Sequence, residues 1–250
     1  MSLFGTNTDA KNLPLNAGRF LADLIYPRAC YGCKRAGTYF CAKCYKGPGT
    51  LPHPICPHCD VRLPEGILSS VCRKKINLDR VFICSLYRDN TINGLIKSLK
   101  YRSAHSLAKP LGDFVWWWLK KEKYLDSLKN NIDIILPIPS HIKKEKRRGF
   151  NHAEKLARQL SLLSGIPSVS NGLIKIKNTE SQVETSSKEE RVKNVRGSFE
   201  VNNSFATELK DKKILLLDDV ITTGSTISEC AKTLREGGAK EVWALAIAKD

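Results

Sequence analysis

The stretch Ile214-Leu215-Leu216-Leu217-Asp218-Asp219-Val220-Ile221-Thr222-Thr223-Gly224-Ser225-Thr226 decides the fold. Four consecutive apolar residues read as a strand buried on both faces, the habit of parallel sheets. The chain then turns through Val220 to Gly224 and enters a helix over 225–236, which Gly237-Gly238 ends. Such a turn lies at the carboxyl end of a parallel strand, where open α/β sheets bind ligands. Thr222, Thr223, Ser225 and Thr226 bring hydroxyls, Gly224 lets the backbone come close, and the helix start adds a positive dipole end. All of these favour a phosphate monoester. Asp218 and Asp219 would repel that anion, so they are read as facing sugar hydroxyls, or a Mg2+-bound sugar, with the phosphate beyond them.

Working outward, strands and helices alternate from residue 79 onward. Val81–Tyr87 reads as a strand, and Ile92, Leu95, Ile96 and Leu99 recur at helical spacing. A second helix is predicted over 106–121, a buried strand over 132–138, and a helix capped near Asn151 with Ala153, Leu156, Ala157 and Leu160 on its apolar face. Gly172–Ile176 is a short strand, the polar stretch 178–196 a loop with a short helix, and Glu241–Ala248 the closing strand. The expected fold class is α/β: a mainly parallel sheet with helices on both faces.

Residues 1–78 differ in texture and are expected to form a separate small module, with 79–250 as the α/β domain. Seven of the nine cysteines lie there, at 30, 33, 41, 44, 56, 59 and 72. Cys30-x-x-Cys33 and Cys41-x-x-Cys44 form two complete pairs, the spacing of a zinc ribbon with a closed S4 shell around a structural Zn2+. Cys56, Cys59 and Cys72 form a second, incomplete set: Lys75 stands where the eighth ligand would be, and His53 or His58 would have to serve. Cys84 and Cys230 sit in apolar patterns and read as packing thiols.

The chain has 250 residues, 42% of them hydrophobic, so composition excludes global disorder. No apolar run reaches membrane-span length, and the polar start lacks a signal-peptide pattern, so no membrane insertion and a cytoplasmic location are expected. A net charge of +16 points to polyanionic partners: phosphorylated metabolites, nucleic acid or an acidic protein. Trp116-Trp117-Trp118 occupy successive helical positions, about 100° apart, so one core cannot take all three indoles. Two readings stand: packing against the cysteine module, or stacking of single-stranded DNA bases, extended by Tyr101 and Arg102 after Lys97 and Lys100.

The quoted stretch resembles the phosphoribosyl-pyrophosphate (PRPP) loop of type I phosphoribosyltransferases. That resemblance assigns PRPP binding to Asp218, Asp219, Val220, Ile221, Thr222, Thr223, Gly224, Ser225 and Thr226, with Asp218 and Asp219 as the catalytic acids on the ribose hydroxyls. Further segments resemble the ComF/GntX group of zinc-ribbon, phosphoribosyltransferase-like proteins: Leu136-Pro137-Ile138-Pro139, then Arg147-Arg148-Gly149-Phe150-Asn151-His152-Ala153-Glu154, and Gln182 with Arg191, Asn194 and Gly197-Ser198-Phe199. His152 departs from that pattern, in which Gln is frequent, and Lys75 departs further.

The resemblance implies that Arg147 and Arg148 meet the pyrophosphate. It puts Arg191 in the segment over the site, where it either closes on the ligand or anchors its own loop. It also implies a role in natural transformation: handling of single-stranded DNA alongside a competence helicase. The competing expectation is an active Mg2+- and PRPP-dependent phosphoribosyltransferase serving a small-molecule acceptor, with no DNA role. His141 and His152 are candidates for its general base by position alone.

Overall fold

The computed structural model describes residues 28–46, 50–51, 53–101, 104–141, 150–177 and 188–250. The chain-order elements are α1 (Ala42–Tyr45), α2 (Ser70–Ile76), β1 (Arg80–Leu86), α3 (Asn90–Tyr101), α4 (Ala104–Lys121), α5 (Leu125–Asn131), β2 (Ile134–Pro137), α6 (His152–Ser164) and β3 (Leu173–Lys175). They continue with α7 (Lys188–Val195), β4 (Phe199–Val201), α8 (Asn203–Leu209), β5 (Lys213–Ile221), α9 (Ser225–Glu236) and β6 (Glu241–Lys249).

The main sheet has four strands in the order β1-β6-β5-β2, every pair parallel. β3 and β4 stand apart as an antiparallel pair. The expected α/β class therefore holds, with the short 172–176 strand moved out of the main sheet. Two boundaries differ from the sequence reading. The run 132–138 yields a strand only over Ile134–Pro137. β5 continues through Ile221, so Asp218 and Asp219 lie on the strand and the turn is confined to 222–224. Pairing with β6, in which Val220 faces Ala248 and Ile221 faces Lys249, carries the strand past the acids. The sequence pattern gives no sign of α1, α2, α5, β4 or α8. The last of these starts at Asn202, whose side chain accepts from the Ser204 N–H.

Strand side chains alternate between two cores. Phe82, Cys84, Leu215, Leu217, Trp243, Leu245 and Ile247 meet α3, α4 and α6 on one face. Val81, Ile83, Ile214, Leu216, Val242, Ala244 and Ala246 meet α8 and α9 on the other. The cysteine-rich segment divides between these cores. Phe40, Cys44 and Tyr45 pack on the α4 face, with Tyr45 against Trp117 at 5.5 Å between ring centroids. Cys56, Leu63, Leu68 and Cys72 pack into the α9 face. Between them, Thr50 and Leu51 run along β1: Thr50 bridges Ser85, and the Leu51 N–H donates to the Cys84 carbonyl at 2.9 Å.

The three tryptophans diverge as helical spacing requires. Trp118 is fully buried and donates its indole N–H to the Leu51 carbonyl at 2.7 Å, while Trp116 and Trp117 are half-buried. For Trp117 and Trp118, packing against the cysteine-rich segment is thus the reading that the structure bears out. Cys84 and Cys230 are buried packing thiols, as expected, and burial pushes both thiol pKa values up.

Trp118→Phe keeps an aromatic ring but leaves the Leu51 carbonyl without its donor, and is expected to cost about 1–2 kcal/mol in urea unfolding. Trp118→Ala, which also opens a cavity, is expected to cost about 3–5 kcal/mol. No loss in Trp118→Phe beside a large loss in Trp118→Ala would show that the bond to Leu51 carries no stability of its own.

Candidate functional site

The alternation of β5 separates the two acids. Asp218 follows the parity of Ile214 and Leu216 toward α9, and Asp219 follows Leu215 and Leu217 toward α3 and α6. Asp219 is 4% exposed. Lys100 Nζ, near the end of α3, lies 3.0 Å from its Oδ2, and His152 Nε2, at the start of α6, lies 3.6 Å from the same atom. Asp218 is half-buried, and its Oδ1 accepts the Asp219 backbone N–H at 2.8 Å.

Electrostatics set these two acids against each other. Removal from water, then the neighbouring charge of Asp219, pushes the Asp218 carboxyl up to about 8, against the opposing pull of Lys100. Burial disfavours the Lys100 ammonium, but attraction to Asp219, then Asp218 and Tyr87, outweighs it and raises its pKa. A like-charged acid pair with one lysine counter-ion, at the carboxyl end of a strand, is the kind of strained electrostatic arrangement found at ligand sites.

Beyond the acids the chain turns sharply. Gly224 takes φ +77 as the residue before α9, a conformation that only glycine adopts cheaply. The hydroxyls of Thr223 and Ser225 lie 2.7 Å apart, and the Ser228 N–H donates to the Gly224 carbonyl at 2.9 Å. Thr222 is exposed and Thr226 half-buried. The residues from Asp218 to Thr226 thus bring carboxylates, hydroxyls and a helix start together at one end of the sheet. Arg147, Arg148 and Gln182 lie outside the described residues. Arg191 belongs to α7, but its side chain is likewise outside them; Asn194 on the same helix is exposed.

Lys100 is a site residue that the sequence pattern does not single out: it precedes Tyr101 on α3, and the structure turns it onto Asp219. His141 and His152 are both buried, at 8% exposure each, and the second of them reaches the acid pair.

The cysteines form two clusters. The Sγ atoms of Cys30, Cys33, Cys41 and Cys44 all lie within 4.8 Å of one another, as do those of Cys56, Cys59 and Cys72. Gly32 belongs to the first cluster by space alone: a Cβ there would meet Cys44 Sγ at 2.7 Å. Burial opposes ionisation of Cys30, but the N–H groups of Cys33, Cys41 and Gly32 prevail and hold it at about 6. Cys44 is pushed up to about 12, by burial and then by the neighbouring sulfurs. Four thiolates this close cannot all carry charge without a cation among them, so the donor set fits a soft tetrahedral ion. In the second cluster Lys75 supplies no ligand, and neither His53 nor His58 joins the three sulfurs.

With the geometry in view, similarity to known proteins is specific. Residues 119–250 match the family model of the phosphoribosyl transferase domain. Competence protein F of Haemophilus influenzae is 30% identical over 210 residues, 82% of this chain and 89% of that one. The chain belongs to the competence protein F family. The DNA utilization protein YhgH of Salmonella typhi is 26% identical over 76% of this chain and 83% of its own. The Haemophilus influenzae amidophosphoribosyltransferase is 25% identical over 62% of this chain and 26% of its own. A solved structure of the allosteric regulatory enzyme of purine biosynthesis overlaps at TM-score 0.35 and 23% identity, covering 60% of this chain and 29% of that one. Among the described residues, no helix is long and apolar enough to cross a membrane.

Asp218→Asn tests the strained acid. A carboxyl raised from 3.8 to about 8 on folding binds more protons in the folded than in the unfolded state. Its contribution to stability is therefore full below the lower value and lost as pH rises through the higher one. Asp218→Asn is expected to gain stability relative to the parent as pH climbs from 3.8 to about 8 and then to plateau, read by urea unfolding at each pH. A pH-independent difference between the two proteins would refute the strain.

Proposed function

We propose that the chain binds PRPP at Asp218–Thr226 and acts in natural transformation, in the uptake or handling of single-stranded DNA. The arrangement that carries this reading is the strand end that sends Asp219 to Lys100 and His152, followed by the hydroxyl-lined turn into α9. The ribose 2′- and 3′-hydroxyls donate to the two carboxylates. The 5′-phosphate accepts from the turn's N–H groups and from the hydroxyls of Thr222, Thr223, Ser225 and Thr226. Mg2+ enters with PRPP and offsets the pyrophosphate charge, and Arg147, Arg148 and Arg191 approach from the loops. Asp218 and Asp219 are the proposed catalytic acids if the anomeric bond is broken there. Membership of the competence protein F family, and the DNA utilization proteins among its relatives, support the DNA role.

A net charge of +16 supports a polyanionic partner. Single-stranded DNA and a competence helicase are the proposed macromolecular partners, in the cytoplasm. Residues 1–78 are proposed as a metal-binding segment and 79–250 as the phosphoribosyltransferase-like domain. In that segment Zn2+ at Cys30, Cys33, Cys41 and Cys44 is structural, because four protein thiolates leave no open position.

Calorimetry with PRPP and Mg2+ is expected to show saturable heat, and the double variant Asp218→Ala/Asp219→Ala to weaken binding by at least about a hundredfold, the loss of two charge-assisted hydrogen-bond sets. No heat from the parent protein at millimolar ligand would end the PRPP reading. For DNA, the logarithm of single-strand affinity should fall linearly with that of salt, with a slope of about −0.7 per phosphate contacted. Affinity indifferent to salt would end the nucleic-acid reading.

A further inference from the structure

The second thiol cluster lies against the turn assigned above to phosphate. Cys56-Pro57-His58-Cys59 is a tight knuckle: the Asp60 N–H donates back to the Cys56 carbonyl at 3.0 Å, and the Cys56 N–H donates to the Val61 carbonyl at 2.8 Å. Its tip carries Pro57, and a Cβ built on Gly224 would sit 3.1 Å from Pro57 Cβ. The knuckle thus packs on the one residue of the turn held at positive φ.

Three further contacts tie the cluster to the same end of the sheet. Asp60 pairs with Lys249 at 2.7 Å, and the next residue, Asp250, donates its N–H to the Ile221 carbonyl at 3.0 Å. Cys72 rides on α2, a helix capped by Ser69, whose side chain accepts the Cys72 N–H at 3.2 Å. Buried Cys56 and Cys72 also share a core with Ile221, at the end of β5, and with Ile227 and Cys230 of α9. The first cluster, by contrast, packs on the opposite face around Phe40 and Tyr45.

Cys59 is exposed while Cys56 and Cys72 are buried, so an ion can reach the second cluster from solvent at Cys59. Three thiolates also hold zinc less tightly than four and leave a coordination position for a donor beyond them. Pro57 is buried at the knuckle's tip, and an ion that joins residues 56 and 59 to α2 would hold the knuckle, and Pro57 with it, in place.

We propose that Cys56, Cys59 and Cys72 form a labile Zn2+ site whose occupancy holds Pro57 against Gly224 and so sets the affinity of the 222–226 turn for a phosphate ester. The regulatory ligand is a soft divalent cation, and the responding site is the PRPP site, so the inference rests on the reading of that turn given above. Thermodynamic linkage makes the effect mutual: if zinc tightens PRPP, PRPP tightens zinc by the same factor.

The test uses the full chain loaded with zinc. The parent is expected to hold two zinc ions by elemental analysis and Cys59→Ser to hold one. Cys59→Ser is expected to bind PRPP about tenfold more weakly, within the usual range of coupling between sites. Its amides over 221–228 should exchange hydrogen faster, whether or not PRPP is present. Pro57→Gly should keep both ions yet show the same weakened PRPP binding. In the parent, saturating Mg2+ and PRPP should make one zinc about tenfold harder to remove with a chromophoric chelator and leave the other unchanged. A parent with a single zinc overturns the proposal, as does a one-zinc Cys59→Ser with unaltered amide exchange. If Cys59→Ser does not fold, Pro57→Gly decides, and parental PRPP affinity in that variant overturns the coupling. If the parent itself gives no PRPP heat, the PRPP reading falls, and amide exchange alone decides whether the metal orders the turn.

Discussion

Two adjacent carboxylates at the end of a buried strand are the constraint around which this molecule is arranged. Neighbouring strand residues point to opposite faces, so the acids cannot share one solvent shell. Asp219 is committed to the helical face and is balanced there by Lys100 at 3.0 Å. Asp218 is left with the cost, and its proton is held well beyond the usual carboxylate range. Sugar hydroxyls would donate to Asp218 and stabilise the charge that the acid otherwise avoids by staying protonated. A bound sugar would therefore change how the same two charges are compensated, with Lys100 and His152 already in place on one side.

The sheet that carries this pair has four strands among the described residues, and each face needs a cover. α3, α4 and α6 supply one and α8 and α9 the other, but neither is complete without the cysteine-rich segment. Its first cluster extends the α4 face through Phe40 and Tyr45, and its second fills the α9 face with Cys56, Leu63, Leu68 and Cys72. Metal binding would thus contribute to both cores, whereas an appended zinc ribbon would pack on one. Small cysteine-held loops are economical covers because they need few apolar residues of their own.

Much of this was legible in the sequence, for local reasons. Ile214–Leu217 could only be a doubly buried strand, and Ser225–Glu236 could only be a helix stopped by glycines, since each pattern is complete within itself. The sequence pattern puts the turn at Val220–Gly224, but the ladder to β6 carries the strand on through Ile221. Lys100 was not legible as a partner of Asp219 because the two are far apart in the chain, and a lysine near a helix end reads as solvated. The division of the cysteines between faces was also hidden. Spacing identifies which thiols can share an ion, but it says nothing about which side of a sheet each loop lands on. Only the path of Thr50 and Leu51 along β1 reveals the crossing.

That crossing has a counterpart on the far side. Beside β2, the Ile135 N–H donates to the Pro167 carbonyl at 2.9 Å and the Val169 N–H donates to the Ile135 carbonyl at 3.0 Å. At these positions both margins of the sheet are already spoken for by the molecule's own backbone. Exposed margins are where foreign strands add themselves, in peptide recognition and in fibrillar aggregation alike. Recognition of another macromolecule is thereby steered toward side-chain surfaces and loops, and the sheet is shielded from templated growth.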